Sequence, residues 1–213
     1  MRQVMERRRD FYYFLSWLYL EGPPEELVRD LIEGKFQLER GNREMEEGVK
    51  LLQRWATSVR DVREGFLSAQ DEFARLFIGP GKPLVSPYQS VYEEGAPYGR
   101  ATLRMKDIYA EAGVVRGADA KEPEDHVGME LAFMALLCNR TSSLENRDEV
   151  LRNLRLQREF LNKQMLSWVP RFCEDILKSE GADFYRGVAL LTLGFLEEEK
   201  RVIEGLIASY ELE

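Results

Sequence analysis

Helical spacing of apolar residues is the feature that most limits what this chain can fold into. Apolar residues recur every three to four positions in nearly every segment, most clearly in the stripe Met45, Val49, Leu52, Trp55 and Val59. Such spacing places the side chains on one face of an α-helix. No segment shows a convincing alternation of apolar and polar residues between hairpin turns. The sequence therefore predicts an all-α protein, a single helical domain of roughly ten helices.

Glycine and proline mark the predicted ends of these helices. A segment at 113–121 that contains glycine, alanine and charged residues could act as a hinge between two helical halves. The chain would then be one domain over 1–213, with candidate subdomains at 1–112 and 122–213. The predicted helices before the hinge are 24–33, one that starts after residue 42, one that ends near residue 78, and 102–112; those after it are 123–139, 144–168, 170–180, 183–196 and an amphipathic tail through residue 210.

The composition fits a globular chain with a net negative charge. Of the 213 residues, 44% are hydrophobic and 32% are charged, which is enough for a buried core. The formal charge of -8 argues against nonspecific nucleic-acid binding, which needs a basic surface, and favours a basic partner. Cys138 and Cys173 lie far apart in apolar settings. We therefore expect buried free thiols and neither a disulfide nor a zinc site.

The N-terminal segment superficially matches an export signal. Arg8 and Arg9 precede an apolar stretch at 11–20, but the stretch runs into residues 22–24 of Gly-Pro-Pro without a small-residue cleavage site. It is also shorter than the about 20 residues that span a bilayer. We therefore predict a helix that is buried on most sides, no integral membrane segment, and a cytoplasmic protein.

An apolar helix end leads into a loop rich in proline and glycine. Phe73, Leu76 and Phe77 are spaced to share one helical face. Gly79 and Pro80 follow directly, and they remove helix propensity and fix the exit direction. We therefore expect the helix to end just before them.

The same loop holds a second predicted helix start. Ser86 is placed as an N-cap and Pro87 as the first helical residue, so that Tyr88 would return along a new helix beside the loop. Loops of constrained shape often carry binding functions, although a tight connection without a ligand is the alternative. Pro83 follows the Gly-Lys pair where a phosphate loop needs Ser or Thr, so we exclude that kind of nucleotide site.

A second group of polar residues occupies 122–126, after the predicted hinge. Pro123 at a first helical position and acids in the first turn suit a helix start, and this capping role accounts for the acids without any function. His126 is the only histidine of the chain. Either Glu122 or Glu130 would share its face if the helix includes them.

A single histidine restricts the chemistry that the chain can perform. Further zinc ligands are missing at recognised spacing, and nothing resembles the nucleophile elbow of a Ser-His-Asp hydrolase. We therefore predict no metal, no cofactor and no catalytic residue. Asp125 and His126 beside an apolar wall would instead suit recognition of an arginine and of a peptide backbone.

Three sequence segments together resemble those of a known family. Residues 76–81 are Leu-Phe-Ile-Gly-Pro-Gly, residues 87–92 are Pro-Tyr-Gln-Ser-Val-Tyr, and residues 122–126 are Glu-Pro-Glu-Asp-His. In this order and spacing they resemble the TorD/DmsD/NarJ family of redox-enzyme maturation chaperones. The length and helical character fit over the whole chain, and the later segment at 160–172 is similar as well.

The resemblance implies a cytoplasmic chaperone that is not an enzyme. It would bind the N-terminal leader, commonly a twin-arginine leader, of a molybdenum-cofactor oxidoreductase subunit and hold the subunit until the cofactor is inserted. Its partners would be this leader and the catalytic subunit of a molybdopterin-dependent reductase, and it would be a monomer or a domain-swapped dimer. The peptide-binding residues carried over from the motifs are Leu76, Phe77, Gly79, Pro80, Tyr88, Asp125 and His126, with Glu122 and Pro123 shaping a second wall.

Two other functions remain open at this stage. In the first, the protein is a nucleotide-responsive enzyme or switch that uses Asp125 and His126. In the second, it is a chaperone of a reductase subunit that is not exported, whose leader lacks the twin arginines. Replacing the client's arginines with residues of opposite charge would separate the two chaperone variants.

Overall fold

The computed structural model describes residues 1–38, 41–79, 82–115, 117 and 121–212. Within these ranges the chain is helical and contains no strand, so the predicted all-α class is confirmed. Two π-helical turns, Ala74–Ile78 and Leu161–Met165, directly follow α4 and α8. The α-helices in chain order are α1 Arg2–Leu20, α2 Glu25–Ile32, α3 Arg43–Ser58, α4 Val62–Phe73, α5 Gln89–Glu94, α6 Arg100–Glu111, α7 Val127–Ser142, α8 Arg147–Phe160, α9 Leu166–Lys178 and α10 Asp183–Leu212.

The chain forms two compact units, each assembled from separate stretches of sequence. The first unit comprises Met1–Ser16, Pro87–Val169 and Lys200–Glu213, and the second comprises Trp17–Ser86 and Pro170–Glu199. The hinge predicted at 113–121 lies partly outside the described residues and stays a prediction. The helices that flank it, α6 and α7, both belong to the first unit.

The core of the first unit forms around α7, a helix that is apolar on nearly all sides. Leu131 and Met134 are fully buried. The ring of Phe133 packs against Tyr109 of α6 and Phe160 of α8, with centroids 4.5 and 4.8 Å apart. A helix of this composition requires enclosure by its neighbours. The packing of α7 therefore sets the position of the residues at its N-terminus.

The core of the second unit is aromatic. The ring centroid of Phe77 lies 5.0 Å from Tyr185 and 5.8 Å from both Tyr19 and Phe172. The tyrosine hydroxyls are hydrogen-bonded: the Tyr19 oxygen lies 2.9 Å from the hydroxyl of Thr192, and Tyr185 donates to a carbonyl of α1 at 2.7 Å. Buried tyrosines need such partners, because an unmatched hydroxyl would be destabilising.

Each unit also holds one buried cysteine. Cys138 of α7 lies in the first unit and Cys173 of α9 in the second, and both are free thiols. The prediction of buried free cysteines is therefore confirmed. Burial raises the pKa of the Cys173 thiol, so this side chain stays protonated at neutral pH.

Two helix breaks predicted near the C-terminal end are wrong. Helix α9 continues through Pro170, because the burial of Trp168 and Phe172 beside it offsets the about 3 kcal/mol that a proline costs inside a helix. Helix α10 also continues past the break predicted after residue 196. Its later apolar residues Ile203 and Ile207 are buried like the earlier ones.

A close approach of α3 to α10 inside the second unit gives a stability prediction. A methyl group added at Gly187 would lie 2.6 Å from Cγ of Leu52 and 2.9 Å from the carbonyl oxygen of Gly48. We expect Gly187→Ala to lower the free energy of unfolding by about 1–3 kcal/mol, because overpacking outweighs the gain in helix propensity. Urea unfolding measures the difference.

Gly205 in the same helix is the matched control. Apart from the adjacent backbone of α10 itself, no atom of the described residues lies within 4 Å of a methyl group added there. Gly205→Ala should therefore stabilise the protein by up to about 1 kcal/mol, since alanine has the higher helix propensity. Similar effects of the two substitutions would contradict the tight contact at Gly187.

Candidate functional site

Two segments that are distant in sequence meet in the first unit. Tyr88 and His126 form an isolated antiparallel β-bridge. The amide that follows Tyr88 donates to the Asp125 carbonyl at 2.9 Å, and the amide that follows His126 donates to the Pro87 carbonyl at 2.8 Å. The bridge therefore places Tyr88, Asp125 and His126, three of the predicted site residues, beside one another.

Asp125 is fully buried and caps α5 rather than its own helix. Its Oδ2 atom accepts a hydrogen bond from the Ser90 amide at 3.0 Å, and Oδ1 accepts one from the Thr102 hydroxyl at 2.9 Å. A carboxylate at a helix N-terminus satisfies free amides and interacts favourably with the helix dipole. The predicted side-chain cap at Ser86 is wrong, because α5 begins at Gln89 and receives its carboxylate from Asp125.

His126 is the N-cap residue of α7. Its Nδ1 atom accepts a hydrogen bond from the Gly128 amide at 3.0 Å, so the proton of the neutral ring lies on Nε2. The residue is 3% exposed, and burial lowers the pKa of the imidazole to about 3. The predicted start of this helix at Pro123 is wrong, because α7 begins at Val127. The acids before His126 therefore do not form the first turn of α7.

Tyr88 and Glu122 are the more accessible part of this arrangement. The Tyr88 hydroxyl donates to Glu122 Oε2 at 2.7 Å, and both residues are half-buried. Burial and this carboxylate raise the pKa of Tyr88, so the phenol stays a donor at neutral pH. Its ring meets the ring of His126 edge-on, with centroids 5.3 Å apart. Pro123 is buried, and its carbonyl accepts the His126 amide at 3.1 Å, which tightens the turn between them.

The predicted pairing of His126 with a glutamate on the same helical face is not observed. Glu122 lies before α7, and the Nδ1 atom of His126 bonds to a backbone amide instead. Glu130 is in α7, and only its backbone amide bonds to the His126 carbonyl, at 3.0 Å. The side chain of Glu130 has a different environment.

Sequence reasoning named Glu130 but missed its buried contact with Trp168 in the same unit. Oε2 of Glu130 accepts a hydrogen bond from the indole N–H of Trp168 at 3.1 Å, and burial raises the pKa of this carboxyl well above its usual range. Among the described residues, no partner is found for Oε1 of Glu130, the hydroxyl of Ser90 or the side-chain carbonyl of Gln89. The one available signal was a glutamate inside the otherwise apolar run at 127–138.

Of the other predicted residues, Leu76, Phe77 and Gly79 lie in the second unit. Leu76 is fully buried and Phe77 is 6% exposed. The π-helical turn that contains them ends at Gly79, whose φ of 59° favours glycine. The predicted helix end near residue 78 is thus confirmed. Pro80 lies outside the described residues, and the role of all four in peptide binding stays a prediction.

The polar groups beside the bridge are engaged in hydrogen bonds within the protein. Asp125 and the Nδ1 atom of His126 are engaged in helix caps. Among the residues that the structure describes, no group of three or more His, Cys, Asp or Glu is placed to hold a metal ion. In the same ranges, no helix is both long enough and apolar enough to cross a membrane.

Comparison with known proteins identifies the family of this chain. The family model described as nitrate reductase delta subunit matches residues 40–174. The chaperone protein TorD of Vibrio cholerae (strain M66-2) is 27% identical over 97% of this chain and 96% of its own, and TorD of Vibrio atlanticus is 30% identical over 94% and 96%. The probable Tat proofreading chaperone DmsD of Haemophilus influenzae is 32% identical over 60% of this chain and 58% of its own.

A solved structure shows the same fold. The crystal structure of a putative redox enzyme maturation protein from Archaeoglobus fulgidus superposes with a TM-score of 0.50 at 22% identity, covering 87% of this chain and 92% of the other. The chain belongs to the nitrate reductase delta subunit family, the TorD/DmsD/NarJ family of redox enzyme maturation chaperones, which act in molybdoenzyme maturation. The family consists of chaperones, so the prediction that the protein is not an enzyme is confirmed.

Proposed function

We propose that the protein binds the N-terminal, twin-arginine leader of a molybdenum-cofactor oxidoreductase subunit in the cytoplasm and holds the subunit until its cofactor is inserted. The family membership supports this, as does the similarity to a relative named as a Tat proofreading chaperone. The net charge of -8 also favours encounter with a basic segment. The cofactor belongs to the client, and the chaperone itself needs none.

The observation that carries the proposal is the pairing of Tyr88 with Glu122 beside the bridged segments. Tyr88 and Glu122 are half-buried, so a ligand can reach them, whereas Asp125 and His126 are buried and hold them in place. An accessible carboxylate next to an aromatic ring suits a guanidinium through a charge-assisted hydrogen bond and a cation–π contact. We therefore assign contact with the leader to Tyr88 and Glu122. Asp125 and His126 would position them.

A substitution of Glu122 tests this assignment. Glu122→Gln removes the charge and keeps the shape, and we expect an about three- to tenfold weaker affinity for a synthetic twin-arginine leader, corresponding to the loss of one charge-assisted contact. The difference should shrink at high salt, because screening weakens the same contact. Isothermal titration calorimetry at two salt concentrations measures both effects.

Glu145→Gln serves as the control, since Glu145 is an exposed acid of the same unit. It should leave the affinity unchanged. An equal effect of the two substitutions would mean that only net charge matters. A leader whose arginines are replaced by glutamine should bind less tightly to the wild type; unchanged affinity would favour a client subunit that is not exported.

The roles of Leu76, Phe77, Gly79 and Pro80 as peptide-binding residues stay proposals. Burial of Leu76 and Phe77 means that their replacement by alanine would first test stability, at about 2–5 kcal/mol each. The predicted monomer or domain-swapped dimer is also a proposal, which size-exclusion chromatography with light scattering would test.

A further inference from the structure

A groove of about 300 Å³ lies in the first unit between α6 and the end of α8. Its lining combines the apolar side chains of Ile108, Leu156 and Phe160 with the carboxylates of Glu111 and Glu159. Glu159 pairs with a lysine one turn further on, while no ion pair is found for Glu111 within the described part of the chain. Such a lining suits a segment that carries both apolar and basic side chains.

One end of the groove meets an arginine of the protein itself. Gln164 lines the groove, and its Oε1 atom accepts a hydrogen bond from Nε of Arg104 at 3.0 Å. Nη2 of Arg104 also lies 3.0 and 2.8 Å from the two carboxylate oxygens of Glu93. A carboxylate and an amide thus hold a guanidinium at the end of an apolar groove, as they would hold the arginine of a bound peptide.

The carboxylate that holds this arginine also contacts a second polar side chain. Glu93 accepts a further hydrogen bond from the side chain of Gln89 at 2.7 Å, and the carbonyl oxygen of that same Gln89 side chain is buried without a partner. Glu93 therefore keeps a second hydrogen-bond partner if Arg104 leaves it, so this carboxylate stays in position to accept another guanidinium.

We propose that this groove binds the apolar segment of a client leader, and that an arginine of the leader replaces Arg104 on Glu93 and Gln164. This inference rests on the proposed function and adds to it the position of the leader and a competing contact within the chaperone. Leaders with an arginine directly before an apolar segment match a groove whose apolar lining adjoins an arginine-binding end. The alternative is an ordinary ion pair that only fastens α6 to α5.

Removal of the competing arginine provides the first test. Arg104→Gln should bind a fluorescein-labelled synthetic leader about two- to fivefold more tightly, because a partly exposed pair of this kind contributes roughly up to 1 kcal/mol. The gain should vanish for a leader whose arginines are replaced by glutamine. Such a double-mutant cycle separates competition from a general change in charge.

Arg100→Gln is the matched control on the same helix. The side chain of Arg100 is 90% exposed, and it forms an ion pair with Glu94 at 3.4 Å. The Arg100→Gln variant should bind the synthetic leader and the leader lacking arginine as tightly as the wild type does. An equal gain in Arg100→Gln, or a gain in Arg104→Gln that persists with the leader lacking arginine, would overturn the displacement.

The apolar lining is tested separately. The double substitution Ile108→Gln and Leu156→Gln should weaken leader binding about tenfold, since two partly exposed apolar contacts are lost. Circular dichroism and thermal unfolding establish that the variant is folded. Independently of any variant, a leader carrying benzophenone in its apolar segment should crosslink to α6 and α8 of the wild-type protein.

The outcomes distinguish this inference from the function on which it rests. If the wild-type protein binds no leader, the proposed function fails and the groove assignment fails with it. If the wild type binds and crosslinks outside α6 and α8, while the variants bind equally, only the groove assignment is overturned.

Discussion

Replacing Asp125 with alanine is expected to lower the free energy of unfolding by about 3–5 kcal/mol. The substitution leaves the amide of Ser90 and the hydroxyl of Thr102 buried without their acceptor, and each such group costs about 1–3 kcal/mol. It also removes a negative charge from the N-terminus of α5. Urea unfolding followed by circular dichroism measures the loss.

Two further variants show whether the loss comes from the missing acceptor. Asp125→Asn keeps one oxygen acceptor and should lose about half as much stability. Asp107→Ala removes an exposed acid from α6 and should change stability by less than about 0.5 kcal/mol. If Asp125→Ala had the same free energy of unfolding as the wild type, the carboxylate would not be capping α5. Weaker leader binding by Asp125→Ala would reflect this instability, so Glu122→Gln is the cleaner test of contact.

Acid is expected to destabilise the wild-type protein through His126. The folded protein keeps this imidazole neutral down to a pKa of about 3, whereas the unfolded chain takes up a proton below about 6.5. The stabilising contribution is therefore complete above pH 6.5 and is lost as the pH falls toward 3. The whole interval corresponds to about 5 kcal/mol, of which about 2 kcal/mol is lost between pH 6.5 and 5.

His126→Asn is the informative variant. Asparagine provides an N-cap acceptor for the Gly128 amide and does not titrate, so this variant should lack the acid-dependent loss. Urea unfolding of both proteins at pH 7 and pH 5 gives the comparison. Equal losses in the two proteins would show that the imidazole is not held neutral.

A buried carboxyl group in the second unit has the opposite pH dependence. Glu72 of α4 accepts hydrogen bonds from the amides of Phe184 and Tyr185 at 3.2 and 2.6 Å, and burial raises its pKa to about 7. Its contribution to stability is present below about pH 4.5 and is lost as the pH rises toward 7. Since Glu72 is present in both proteins, it cancels in the difference between wild type and His126→Asn.

Sequence patterns report on residues that are close together along the chain, and this limits what the sequence could predict. Helical periodicity and the glycine after residue 78 are local signals, so the all-α class and the helix end at Gly79 were predicted correctly. The bridge between Tyr88 and His126 joins residues that are distant in sequence, and no local pattern reveals it. For the same reason the capping of α5 by Asp125 was missed, and the acids at 122–125 were assigned to the helix that follows them.

The correct and incorrect parts of the site prediction have a common physical origin. The family motifs named Tyr88, Asp125 and His126, which the structure places side by side, but a motif does not say which of its residues are buried. Burial depends on the packing of several helices, and it separates the accessible Tyr88 and Glu122 from the capping residues Asp125 and His126.

Each unit contains one buried cysteine, so the local opening of the two units can be measured separately. An alkylating reagent reacts with a thiolate and needs access to the sulfur, so Cys138 and Cys173 should be modified only when the surrounding helices separate. Cys138 belongs to the first unit and Cys173 to the second. Pulsed labelling read by peptide mass would therefore give separate opening rates for the two units, with and without a bound leader, and no probe would have to be introduced.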